Sequence, residues 1–81
     1  MKAYIYSLLN LKNGKVYVGS TINSNQRKTI HFKQLRKGYH ENAKINKELS
    51  EFTYLDFSYN ILEVVDIDDI YIREEYFSFQ G

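Results

Sequence analysis

The hydrophobic pattern changes period along the chain. Residues 4–9 are rich in β-branched and aromatic side chains, residues 15–20 repeat that character, and Asn13-Gly14 lies between them. Two such runs around Asn-Gly predict a β-hairpin. With Asn13 and Gly14 at the central turn positions, Lys12 opposes Lys15, Asn10 opposes Tyr17 and Leu8 opposes Gly19. Side chains alternate along strands, so Tyr6, Leu8, Asn10, Tyr17 and Gly19 share one face, while Ile5, Leu9, Val16 and Val18 share the other. Gly19, lacking a side chain, is expected to leave room for a ligand backbone.

A helical period follows. Asn23 or Ser24 can cap a helix that ends at Gly38. Phe32, Leu35 and Tyr39 form its core stripe, and Arg27, His31 and Gln34 form the neighbouring stripe. Lys28 falls on the core side, where its stem can snorkel. A second helix over 42–52 is expected to bury Ile45, Leu49 and Phe52, with His40 and Asn42 near its start. A third strand spans 56–65, and a last helix follows Asp66 or Asp68. The order is ββααβα, an α+β fold with a small three-stranded antiparallel sheet flanked by three helices.

The last helix carries the sharpest chemical signal. At 100° per residue, Ile67, Ile70, Tyr71 and Phe77 cluster on one apolar stripe with Glu74 at its centre, and Glu75 points towards the rim. A carboxylate on a buried face is costly unless it is paired, protonated or bound to a metal. Gln80-Gly81 reads as the remnant of a cleaved tag, and the last helix reads as cut short, so residues 1–81 are expected to be one domain, either a fragment or a minimal domain.

Composition narrows the classes. A chain of 81 residues makes one small core that hides about 60% of its unfolded surface. The absence of cysteine excludes disulfides, zinc knuckles and thiol catalysis. No apolar run approaches the roughly 20 residues of a membrane span, and a cytoplasmic protein is the expectation. The net charge of +1 hides an asymmetry, because residues 1–47 hold ten Lys/Arg and one acid whereas residues 48–81 hold one base, Arg73, and nine acids. A basic half suits phosphate attraction, although the two halves also suit mutual pairing.

The ordered set Tyr4-Ile5-Tyr6, Tyr17-Val18-Gly19, Arg27, His31 and Arg73-Glu74 resembles the GIY-YIG nuclease superfamily. The likeness extends over Asn13-Gly14-Lys15-Val16-Tyr17-Val18-Gly19-Ser20 and over His40-Glu41-Asn42, and it is strongest towards the catalytic domains of phage intron homing endonucleases. Tyr4 in place of the first glycine and Val18 in place of isoleucine depart from the pattern without removing a reactive group.

The resemblance implies a metal-dependent DNA endonuclease of phage, virus or mobile-element origin. Tyr6, Tyr17, Arg27, His31 and Glu74 become the expected catalytic residues, with Gly19, Lys28, His40 and Asn42 as substrate contacts. Glu74 is the expected ligand of Mg²⁺ or Mn²⁺, hard cations that prefer oxygen, and the lack of a second matching acid implies a single metal. Arg27 would clamp the phosphoryl oxygens. Phenols are poor bases at their reference pKa of about 10, and a nearby cation would make one of them able to activate water. Either tyrosine fits that role. No sequence-reading module is present, so a separate DNA-recognition domain or protein is expected, together with a transient dimer or successive nicks for a double-strand break. The rival reading is a non-catalytic nucleic-acid-binding or adaptor domain using Lys28, Lys33, Arg36, Lys37, Lys44 and Lys47. Such a binder has no need to keep Tyr6, Arg27 and Glu74 together.

Overall fold

The computed structural model describes residues 1–80, with side chains as far as Ser78, so the reading of Gln80-Gly81 as a tag remnant falls on Gly81, outside the described residues, and on Gln80, described by its backbone alone. Strands β1 (Lys2–Asn10) and β2 (Val16–Thr21) precede helices α1 (Ser24–Arg36) and α2 (Ala43–Glu48); β3 (Phe57–Asp66) and α3 (Ile70–Gln80) follow, each introduced by a single 3₁₀ turn. The sheet is antiparallel in the order β2-β1-β3, the α+β arrangement that the pattern predicts.

The central strand β1 separates two small cores. Leu8 joins Leu35, Ile45 and Phe57 beneath α1 and α2. Ala3 and Ile5 join Val65 beneath α3, with Val18, Ile70 and Phe77 packed around them. Ile5 and Leu8 are at most 1% exposed, so the strand buries a residue into each core, and apolar burial there is the main stabilising term.

The hairpin register differs from the expected one by two residues. Tyr6 pairs with Gly19, and Leu8 with Tyr17. The loop is four residues long, closed by Asn10 N–H donating to the Lys15 carbonyl at 2.9 Å. The cause is Asn10, whose Oδ1 accepts from the backbone N–H groups of Lys12 and Asn13. Buried Glu48 anchors both amides, since its Oε1 accepts from Asn10 Nδ2 at 2.8 Å and from Asn13 Nδ2 at 2.6 Å. A shift of two preserves parity, so the faces stay as expected.

Strand β3 contains a bulge. Ile5 pairs with Glu63 but Tyr6 pairs with Ile61, which leaves Leu62 as the extra residue. Phe57 and Tyr59 therefore pack on the Leu8 side and Val65 on the Ile5 side.

The helices follow their caps. Asn23 Oδ1 accepts from the Gln26 N–H at 3.0 Å to start α1, and Gly38 at φ 75° follows its end. Asn42 Oδ1 accepts from Lys44 and Ile45 to start α2. That helix stops at Glu48, well short of residue 52. Three placements correct the wheel readings. Tyr39 is 63% exposed and Tyr71 81% exposed, and Lys28 is exposed, off the core side. In α3 the cause is Arg73, which turns towards the sheet and forks onto Glu63 at 2.6 and 2.7 Å. The inward stripe becomes Ile70, Arg73, Glu74 and Phe77, leaving Tyr71 outside.

Candidate active site

A cleft opens where β1, β2, α1 and the start of α2 meet, lined by Tyr6, Tyr17, Arg27, His31, His40 and Asn42 among others. Strand parity supplies the two phenols. The short β2–α1 connection brings Arg27 and His31, one helical turn apart, over the same face.

Tyr6 is the hub. His31 Nε2 lies 2.8 Å from its hydroxyl oxygen, and Arg27 Nε–H donates to the same oxygen at 3.3 Å. The Tyr59 ring stacks on Tyr6 at 4.9 Å and 22°. On the other side is Gly19, where a Cβ would fall 2.5 Å from Tyr6 Cζ. The space at Gly19 is therefore filled by the Tyr6 ring and is not left for a ligand backbone, contrary to the expectation from the missing side chain.

The polar chain continues inward. His31 Nδ1 lies 2.7 Å from His40 Nε2. The two imidazole planes differ by only 5° with centroids 5.0 Å apart, so with that short N···N distance they meet edge to edge. His40 Nδ1 accepts from the Asn42 backbone N–H at 3.0 Å. Burial, then the positive charge of Arg27, pushes the His31 pKa down to about 4. Burial likewise lowers that of His40. Both imidazoles are neutral at neutral pH. The hydrogen bond to Tyr6, and then the ion pair with Glu41 at 3.1 Å, hold the Arg27 guanidinium above its usual pKa.

Tyr17 lines the cleft half-buried, with no hydrogen bond to its hydroxyl among the described residues. Glu74 is not among the lining residues. It is half-buried on α3, and its Oε2 accepts from Ser20 Oγ at 2.6 Å. Ser20 follows Gly19 and points to the α3 face, so Glu74 reaches the β2 edge beside the cleft from the opposite side of the sheet. Its other carboxylate oxygen is free of hydrogen bonds among the described residues. Among these residues no three His, Cys, Asp or Glu cluster together. Lys28 stands outside the cleft.

Tyr59, Glu41 and Ser20 escaped the sequence reading. Glu41 carried a signal, as the sole acid in the basic half. Tyr59 carried one in its parity with Phe57. Ser20 adjoined a motif, but nothing local linked it to Glu74.

The profile of the GIY-YIG catalytic domain matches residues 2–77. Intron-associated endonuclease 1 of Enterobacteria phage T4 is 37% identical over 78 residues, covering 95% of this chain and 31% of that protein. The chain thus spans about a third of the length of this curated relative. The catalytic domain of homing endonuclease I-TevI superposes with a TM-score of 0.84 at 32% identity, over 96% of this chain and 86% of that one. A mutant form of the same catalytic domain gives 0.82 at 34% identity, over 99% and 84%. Sequence, fold and the order of the motif residues agree, and this chain belongs to the GIY-YIG family as one of its catalytic domains.

Proposed function

We propose that this domain hydrolyses DNA phosphodiester bonds as a metal-dependent endonuclease. The observation that carries the reading is the meeting of Arg27 with two phenols in one cleft, while the Glu74 carboxylate reaches the neighbouring strand β2 at Ser20. Arg27, fixed by Tyr6 and Glu41, is placed to hold phosphoryl oxygens as charge builds on them. Glu74 would hold Mg²⁺ or Mn²⁺, which when bound neutralises phosphate charge and lowers the pKa of a coordinated water. The neutral imidazole of His31 orients Tyr6 through a hydrogen bond and adds no charge to the phosphate site. A phenolate, formed by loss of one tyrosine's proton, accepts the proton of the attacking water and returns to a phenol.

The exposed Lys28, Lys33, Arg36, Lys37, Lys44 and Lys47 supply non-specific contacts to the DNA backbone. One site cuts one strand, so a double-strand break takes a second site or a second nick. Sequence choice comes from a recognition module in a longer protein or in a partner. The relatives named as phage and intron endonucleases support a mobile-element setting. No described helix is long and apolar enough to cross a membrane, and we place the protein in the cytoplasm of its host. Supercoiled plasmid incubated with Mg²⁺ or Mn²⁺ tests the reading. Nicking that stops with chelator and with Arg27→Ala is expected. A plasmid bound but left intact under all metals would favour the adaptor reading.

A further inference from the structure

We infer that His40 is a positioning residue that locks His31 as a hydrogen-bond donor to Tyr6, so that the Tyr6 phenol releases its proton into the cleft and not to His31. The argument starts at a backbone amide. The Asn42 N–H can only donate, and it reaches His40 Nδ1 at 3.0 Å. A neutral imidazole carries one proton, so that of His40 sits on Nε2. From there it donates to His31 Nδ1 at 2.7 Å. The same logic puts the His31 proton on Nε2, where it donates to Tyr6 Oη at 2.8 Å. Arg27 Nε–H is a second donor to that oxygen at 3.3 Å. Burial keeps both histidines in the neutral form that this assignment needs.

Tyr6 Oη thus accepts twice, and its own hydrogen has no acceptor among the described residues. A relay from Tyr6 through His31 is blocked. To take the phenol's proton at Nε2, neutral His31 must first move its own to Nδ1, where it would meet the His40 N–H head on. His40 cannot pass a proton further, because its Nδ1 faces the Asn42 amide. The Tyr6 O–H bond therefore breaks towards water in the cleft, and the phenolate stays between two donors. It then takes one proton from the attacking water and returns to a phenol. Tyr17 has no comparable pair of donors, which makes Tyr6 the base. That last assignment rests on the nuclease reading; the tautomer lock does not.

Long-range ¹H–¹⁵N spectra of histidine-labelled protein at neutral pH read each tautomer directly. His31 is expected to be protonated on Nε2 in the wild type. His40→Leu removes the donor and should admit the Nδ1–H form. His40→Gln, whose amide can accept from Asn42 and donate to His31, should restore the lock. In plasmid nicking, kcat should fall about tenfold in His40→Leu, the scale of one hydrogen bond to a charged group, with KM little changed, and recover in His40→Gln. A wild-type His31 protonated on Nδ1, or a tautomer indifferent to His40→Leu, overturns the inference. Should His40→Leu fail to fold, the wild-type and His40→Gln spectra still decide it. An inactive protein with the expected spectrum would remove the nuclease reading and leave the lock standing.

Discussion

Gly19→Ala adds one methyl group at the point where the backbone of β2 meets the Tyr6 ring. Gly19 is not among the positive-φ glycines, which are Gly14 and Gly38, so the penalty at position 19 is steric. The new carbon would fall 2.5 Å from Cζ and 2.9 Å from Cε2 of Tyr6. Ordinary carbon contacts lie at about 3.5–4.0 Å, so the ring must retreat by roughly 1 Å. Tyr59 is stacked on it at 4.9 Å, and the hydroxyl is held at 2.8 Å from His31. Overpacking costs about 1–3 kcal/mol, and stretching the Tyr6–His31 bond adds about 1 kcal/mol. At about 4–8 °C per kcal/mol for a domain of this size, melting should fall by roughly 8–32 °C. A displacement of about 1 Å at a reacting group should also slow cleavage by about a hundredfold. Gly14→Ala is the control: its Cβ meets open space but needs φ +75°, so it should cost about 1 kcal/mol and leave cleavage per folded molecule unchanged. Thermal melts and plasmid nicking of both variants suffice. A Gly19→Ala protein with wild-type melting and wild-type cleavage would refute the placement of Tyr6.

Acid should destabilise the fold before its carboxylates titrate. His31 has a pKa of about 4 when folded against 6.5 as a free side chain, so the unfolded chain takes up the proton first and stability falls as pH drops from 6.5 towards 4. After allowance for solvent screening the loss is about 1–2 kcal/mol; denaturant titrations should show it between pH 6.5 and 4.5, and His31→Asn should flatten it, whereas a gain in stability on acidification would reverse the assignment. Glu74→Gln keeps shape and removes charge, so metal-dependent nicking should nearly vanish while melting stays close to wild type. Glu75→Gln should change little, and equal losses in the two variants would place the metal ligand elsewhere. DNA affinity should be nearly sequence-blind and fall steeply with salt, and titrations at two salt concentrations that superimpose would contradict the role of the lysines.

Much of this structure was readable because its signals are local. Alternation assigned the faces of β1 and β2, and it survived a wrong register because the error was an even number of residues. Arg27 and His31 were readable because a helical turn joins them and α1 starts three residues after Thr21. What stayed hidden depends on partners distant in the chain. The four-residue loop is set by Glu48, 35 residues beyond Asn13. The rotation of α3 is set by Glu63 of β3, ten residues before Arg73 and on the sheet face that α3 covers, and it displaces Tyr71. His40 was grouped with Asn42 at the start of α2, yet it is 2% exposed, and its role follows from His31, which no periodicity connects to it. Tyr39 lies beyond the end of α1, where Gly38 at φ 75° turns the chain, so it never joins the stripe that helical spacing assigned to it.

The bulge at Leu62 makes the count of residues in β3 matter more than some of their identities. Leu62 itself is 39% exposed, and its side chain should tolerate exchange. Its presence should not tolerate deletion. With one residue fewer, the strand cannot keep Tyr59 against the Tyr6 ring and also turn Glu63 towards Arg73 and Val65 towards Ile5. Any single insertion or deletion between Tyr59 and Glu63 behaves like a frameshift in space, sending the downstream side chains to the wrong face. Insertions and deletions should therefore be tolerated only in the loops of this domain, and β3 works as a spacer of fixed length between the cleft and the last helix.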